Sequence, residues 1–273
     1  MIAIGRSRTA ALVAMAAIVF AGCSANSIPV IEPAPSPTSS SAYRHGAVKV
    51  DDARVSYWCQ GIGGPVTILE AGSDTAGIVA WAGIMESISE VTTVCTYNRL
   101  GIGGSSAPPN HSRTGDDLVR VLDGVLAALG LEPPYVMAGQ FSGGNIAIAY
   151  AHAHPDRVAG LVPIEAYHHD PAEVAARPAT AGFTWEDNPE HVDVVPWSVA
   201  QDAYAFPFGD FPVLVVSVDS GVDQGGPQNQ AHWLGISSNS RQAVIEGPHD
   251  LQCAAAEELA REIVGFVTSL RGE

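Results

Sequence analysis

The chain has 273 residues, a length typical of one large domain or two small ones. Hydrophobic residues make up 47% of the chain and charged residues 15%, which supplies ample material for a core. The formal net charge is −16 and Lys49 is the only lysine. This acidic composition argues against binding to nucleic acid and against electrostatic docking on anionic lipid.

Residues 1–22 are typical of an export signal. Arg6 and Arg8 precede an apolar run that ends at Cys23. The run is short for a membrane span but suits the core of a signal peptide. Ala21 and Gly22 before the cysteine resemble a bacterial lipoprotein signal. We therefore predict a lipid on Cys23 that anchors the chain to the outer face of the cell membrane; an ordinary secretory signal is the alternative.

Residues 23–44 are rich in serine and proline and predict a flexible tether ahead of a folded domain at residues 45–273. Export places the remaining cysteines in an oxidising compartment. These are Cys59, Cys95 and Cys253, which allow at most one internal disulfide.

The folded part begins with a predicted hairpin around Asp51 and Asp52, after which strands and helices alternate. The predicted strands are PVTILEAG, VTTVCTY, PPYVMAG, VAGLVPIEA, FPVLVVSVD and SRQAVIEG; the predicted helices are IVAWAGIMESISE, RTGDDLVRVLDGVLAALG, GGNIAIAYAHAH and AAAEELAREIVGFVTSL. Alternation predicts a mostly parallel sheet with helices on both faces and ligands at the carboxyl ends of its strands. The long polar stretch at about 166–210 predicts a small cap over that edge.

Several landmarks occur in an order that resembles the secreted α/β-hydrolases. They are VTILEAGSDTAGIVAW, VCTYNRLGIGGSS, AYAHAHPDRVAGLVPIEA, NPEHVDVV and SSNSRQAVIEGPHDLQ. The resemblance covers roughly residues 45–270 and implies the α/β-hydrolase fold. It also implies a nucleophile on a strained strand-to-helix turn, a histidine base, an acid that orients the histidine, and an oxyanion hole of backbone N–H groups.

The turn that would hold the nucleophile has an altered sequence. In the family the nucleophile is the centre of Gly-x-Ser-x-Gly, but the centre of Gly139-Gln140-Phe141-Ser142-Gly143 is Phe141. Phe141 also lies fourteen residues before Pro155, as the family serine does. Either Ser142 acts as a nucleophile shifted by one residue, or the site has lost its nucleophile.

The resemblance implies that His249, after the last strand, is the base. Asp219 after FPVLVVSVD is the favoured orienting acid, with Glu165 and Asp223 as alternatives.

The same resemblance places the oxyanion N–H groups at Gly72, Ser73 and Gly143. It also implies a disulfide between Cys59 and Cys95, because the strands that carry them are neighbours in this fold.

Two functions follow as hypotheses. The first is an envelope-anchored hydrolase of ester or related acyl substrates that uses Ser142, His249 and Asp219. The second is a non-catalytic protein of the same fold that binds a small apolar ligand or a protein partner. No motif predicts a cofactor, and the adjacent pair His168 and His169 does not favour a metal site, since adjacent histidines rarely converge.

Overall fold

A computed structural model describes residues 42–73, 76–166, 168, 184–219 and 226–272. The predicted signal, the lipidation residue Cys23, most of the tether, part of the cap and the alternative acid Asp223 lie outside the described residues. No helix within these ranges is long and apolar enough to cross a membrane.

Eight strands form one sheet in the order β1-β2-β4-β3-β5-β6-β7-β8. The strands β1 and β2 form the predicted hairpin and β2 pairs antiparallel with β4, whereas all other pairs are parallel. The bounds are β1 Arg44–Val50, β2 Ala53–Gln60, β3 Val66–Glu70, β4 Val94–Tyr97, β5 Tyr135–Gln140, β6 Val158–Ile164, β7 Val213–Val218 and β8 Ser240–Ile245. The mostly parallel α/β-hydrolase sheet expected from the sequence is confirmed.

The helices of the described residues cover both faces of this sheet. Their bounds are α1 Met85–Ser89, α2 Gly115–Ala128, α3 Ser142–Ala153, α4 Val194–Asp202, α5 Pro227–Gln230, α6 Leu251–Ala254 and α7 Ala256–Ser269, with short 3-10 helices at Gly77–Trp81, Pro155–Arg157 and Ala231–Ile236. The helix predicted over residues 78–90 is divided in two around Gly83, a residue that disfavours a helix interior.

Alternate residues of each buried strand enter two separate cores. In β3 and β5, Ile68 and Met137 pack with α2 and α3, whereas Leu69 and Ala138 pack with α1 and α7 on the other face. Successive side chains of a strand point to opposite faces, so a strand buried on both faces is apolar throughout. This explains why the central strands appear in the sequence as continuous apolar runs.

The predicted disulfide between Cys59 and Cys95 is confirmed. The two residues are register partners on β2 and β4, and their Cα atoms lie 4.1 Å apart. Cys253, on α6, is exposed.

A buried ion-pair network fixes the loop after β3. Arg99 donates to both carboxylate oxygens of Glu190, at 2.5 and 2.7 Å, and to the carbonyl oxygens of Ala71 and Gly72, both at 2.6 Å. The carboxylate of Glu70 lies 3.5 Å from the same guanidinium. Burial disfavours the charged form of Arg99, but the surrounding negative groups, Glu190 first and then Glu70, together outweigh it and raise the arginine's pKa.

Glu70 is the member of this network whose carboxyl is hardest to ionise. Burial raises the pKa of Glu70 from 4.5 to about 7, although the charge of Arg99 opposes the shift. The folded protein therefore holds this proton more tightly than the unfolded chain does. Binding of this proton stabilises the folded protein fully below the pKa that Glu70 has in the unfolded chain, and the stabilisation is lost as pH rises through about 7.

We predict that loss of the Cys59–Cys95 bridge destabilises the fold by about 3–4 kcal/mol, because the bond closes a loop with a sequence separation of 36 residues. The measurement is urea unfolding of Cys59→Ala/Cys95→Ala against the wild type. In a Cys253→Ala background, a reducing agent should produce the same loss. An unchanged unfolding free energy in both experiments would contradict the prediction.

We predict that Glu70→Gln reduces the dependence of stability on pH. Between about pH 5 and about pH 8 the wild type should lose about 2–3 kcal/mol of unfolding free energy that the variant keeps. Chemical unfolding at both pH values measures the difference. Glu86→Gln, an exposed glutamate on α1, is the control and should follow the wild type. Parallel pH profiles for wild type and Glu70→Gln would refute the assignment.

Candidate functional site

The site is organised by a sharp turn between β5 and α3. β5 ends at Gln140, α3 begins at Ser142, and Phe141 between them has φ 55° and ψ −122°. A side chain at Gly139 would lie 2.2 Å from the carbonyl oxygen of Gly143, so the backbone closes on itself at that point. Both glycines are therefore required, and they place Phe141, not Ser142, at the strained apex where the fold presents its nucleophile.

The histidine of the site is held by Glu165. The Nδ1 atom of His249 lies 2.6 Å from Oε2 of Glu165, a fully buried side chain at the end of β6, whose Oε1 accepts a hydrogen bond from the Val218 N–H at 2.9 Å. Asp219, the acid that the sequence favours for this role, does not contact His249 in the structure. Asp219 is exposed and accepts from the N–H of Gly247 at 3.4 Å. The partner of the histidine is the alternative acid, one strand nearer the turn.

The other nitrogen of His249 is also occupied. Its Nε2 lies 3.2 Å from the side-chain amide Nε2 of Gln140. Because Nδ1 faces a carboxylate, we assign the ring hydrogen to Nδ1, and Nε2 then accepts from the Gln140 amide. In a serine hydrolase this Nε2 takes the proton of the nucleophile. Here the side-chain amide of Gln140, which is too weak an acid to transfer a proton to the histidine, occupies that position.

Phe141 fills the remaining space beside the histidine. Its ring lies edge-on to that of His249, with the centroids 4.7 Å apart. Gly72 backs the turn, since a Cβ there would be 2.6 Å from Oε1 of Gln140 and 3.6 Å from Cβ of Phe141. The arrangement forms a compact group of Gly72, Gln140, Phe141 and His249 at the carboxyl edge of the sheet.

Ser142 does not meet His249. Its Oγ is buried and has no hydrogen-bond partner within the described ranges, because the residue belongs to the first turn of α3 rather than to the apex. The backbone N–H that follows the apex is consequently that of Ser142. Gly143, which the sequence predicts for the oxyanion hole, lies one residue further along, and a Cβ on it would lie 2.2 and 2.4 Å from the carbonyl oxygens of Glu70 and Ala71.

The loop that carries Gly72 and Ser73 follows β3, as expected for the other half of an oxyanion hole. Arg99 holds this loop by the carbonyl oxygen of Gly72. The contact between Gln140 and His249 was not expected from the sequence. Gln140 occupies the first x of the Gly-x-Ser-x-Gly pattern, which specifies no residue type, so the pattern carries no signal for this contact.

Among the described residues, the site thus holds a histidine and a carboxylate that orients it, but no hydroxyl within hydrogen-bond distance of that histidine. A hydroxyl oxygen must reach the histidine to be activated. The only hydroxyl in the described turn, that of Ser142, is buried and forms no hydrogen bond with His249. The geometry does not support acyl transfer through a serine ester.

Comparisons with known proteins agree with this fold. The model of a family described as alpha/beta hydrolase fold matches residues 58–190. A Caulobacter vibrioides protein named for carbamate hydrolysis, RutD, is 35% identical over 114 residues, which cover 38% of this chain and 40% of the relative. A Hormonema carpetanum protein named as a transporter, efuK, is 30% identical over 132 residues, 46% of this chain and 19% of the relative.

The chain therefore spans less than half the length of either relative. Among solved structures, a thermophilic esterase from Thermogutta terrifontis superposes with a TM-score of 0.67 at 19% identity, over 83% of this chain and 99% of the esterase. At that identity the likeness concerns the fold alone. Together, the family match and the shared eight-stranded architecture show that the chain has the α/β-hydrolase fold.

Proposed function

We propose that this protein is a non-catalytic protein of the α/β-hydrolase fold that binds a small, uncharged acyl compound at the carboxyl edge of its sheet. The observation that carries the proposal is Phe141 at the apex of the turn, with its ring against His249. An aromatic ring at this point supplies an apolar contact for a ligand and cannot attack a carbonyl.

The elements that would hold an acyl group support the proposal. The N–H of Ser142 opens the twelve-residue helix α3, and Gly72 lies against the same turn. Backbone N–H groups at a helix start attract the oxygen of a carbonyl. The named activities of two relatives, carbamate hydrolysis and the esterase reaction, both concern acyl compounds. The net charge of −16 disfavours an anionic ligand.

We also propose export and lipid anchoring through Cys23, on the signal-like layout of residues 1–22. The protein would then face the outside of the membrane. Metabolic labelling with a fatty-acid analogue should mark the wild type and leave Cys23→Ala unmarked. Labelling that survives this substitution would refute the anchor.

We predict that Phe141→Ser creates a reactive serine. The new hydroxyl takes the apex conformation beside His249, whereas Ser142 of the wild type lies away from it. A fluorophosphonate probe should leave the wild type unlabelled and label the variant, and His249→Ala added to Phe141→Ser should remove the label. Phe141→Ala, which removes the ring without adding a hydroxyl, is the matched control and should stay unlabelled. Wild-type labelling that disappears in Ser142→Ala would instead establish a shifted nucleophile.

The intact pair of Glu165 and His249 favours one second function, hydrolysis without a covalent intermediate. The Nε2 atom would take a proton from water as the water oxygen bonds to the acyl carbon, and the leaving oxygen would receive that proton as its bond to carbon breaks. The side chain of Gln140 would first have to leave Nε2, which it now contacts at 3.2 Å.

We predict that the wild type binds p-nitrophenyl butyrate without turnover above the buffer rate. Binding is measured as competition with hexyl carbamate by calorimetry, and turnover by release of nitrophenolate. Phe141→Asp should weaken binding by about tenfold or more, because it places a charge at the apolar contact. Turnover that is lost in His249→Ala but kept in Ser142→Ala would support direct hydrolysis and overturn the binding function.

A further inference from the structure

A second cluster of functional side chains lies outside the turn. His168, Asp202 and His232 come from three segments that are distant in sequence, and their ligand atoms all lie within 4.8 Å of one another. His168 follows the exit of β6, Asp202 ends α4 and His232 lies in the 3-10 helix Ala231–Ile236. Among the described residues, it is the one group of three or more potential metal ligands with this spacing.

The distances fit a common ligand. Oδ1 of Asp202 lies 2.8 Å from Nδ1 of His168 and 3.9 Å from Nε2 of His232. In a tetrahedral zinc site with bonds of about 2.0–2.1 Å, neighbouring donor atoms lie roughly 3.3 Å apart. The two measured separations fall on either side of that value. Rotation of the two imidazole rings out of their stacked arrangement would bring all three donors to one ion.

One donor is visibly available. The Nε2 atom of His232 is buried and has no hydrogen-bond partner among the residues described. Buried polar atoms are nearly always bonded, so an orphaned nitrogen aimed at a carboxylate calls for a missing partner. The carboxylate of Asp202 belongs to a side chain of which only 7% is exposed, so it offers a buried oxygen ligand next to this nitrogen.

The surroundings hold these donors in place. The imidazole rings of His168 and His232 stack 3.8 Å apart, and Phe206 and Trp233 contact the His232 ring. The side-chain amide of Asn229 donates to the carbonyl oxygen of His168 at 3.3 Å. Aromatic walls and hydrogen bonds to the ligand residues are the usual outer layer of metal sites.

We propose that His168, Asp202 and His232 bind one divalent transition-metal ion of the Zn²⁺ class, with a fourth position left for water or a ligand. Two histidines and a carboxylate match the donor preference of zinc, and three protein ligands are the number found in zinc sites with an open position. The stacked rings must tilt as the ion enters, because parallel imidazoles direct their lone pairs along parallel lines. The ion would clamp the end of α4 to the exit of β6, three residues from Glu165.

The test is metal binding by the untagged full chain after removal of metals with a chelator. Zn²⁺ is titrated against a chromophoric chelator, and Co²⁺ binding is followed by its visible absorption. We expect one ion per chain and a tetrahedral Co²⁺ spectrum. Asp202→Asn and His232→Ala should each weaken binding by more than the roughly 10–100-fold that loss of an outer partner costs.

The matched control is His154→Ala. His154 also pairs with an aspartate, Asp123, at 3.0 Å, but Arg157 occupies the same carboxylate and no third donor from the described part of the chain joins them. This variant should bind zinc as the wild type does. Near-UV circular dichroism checks that each variant is folded; if His232→Ala is not, Asp202→Asn decides. Absence of uptake at one ion per chain, or equal affinities for Asp202→Asn and His154→Ala, would overturn the site.

Discussion

The close contact between Gly139 and Gly143 is the constraint on which the site depends. The turn can be this tight only because Gly139 has no side chain, since the carbonyl oxygen of Gly143 occupies the volume that a Cβ at Gly139 would need. Gly143 must lack a side chain for a different reason, because a Cβ there would meet the carbonyl oxygens of Glu70 and Ala71. With both glycines fixed, the residue between β5 and α3 must take the strained apex conformation. That residue is Phe141, and the chemistry of the site follows from this register rather than from the presence of a nearby serine.

The residue at the apex explains why no serine of the described turn meets the histidine. The buried carboxylate of Glu165 orients His249, and the loop at Gly72 lies beside the turn. Two residues of the turn contact the imidazole. Gln140 supplies an amide donor to Nε2, and the ring of Phe141 lies edge-on to that of the histidine. Activation of a serine requires a hydroxyl that reaches an unoccupied base, and the described part of the turn provides neither.

Two polar clusters connect the predicted cap with the sheet. Glu190 reaches Arg99, which in turn holds the loop after β3 by two carbonyl oxygens. Asp202 reaches His168 at the exit of β6. Buried charges of this kind contribute little net stability because their desolvation is costly, but they specify which segments meet. Through Glu190 and Asp202, the described part of the cap thus contacts segments at the carboxyl edge of the sheet, where we propose that a ligand binds.

Local sequence determined much of this protein. Runs of apolar residues gave the central strands, the pair of aspartates gave the hairpin, and the glycine spacing placed Phe141 at the apex, because backbone sterics and burial act over a few residues. The Cys59–Cys95 bridge was implied by the resemblance to the α/β-hydrolases and not by a local pattern. Only the tertiary structure selected Glu165 over Asp219 as the partner of His249. It also turned Gln140 toward that ring and brought His168 to Asp202 and His232. These contacts join residues 34 to 109 positions apart. Their geometry depends on how strand ends align across the sheet, which no local pattern encodes.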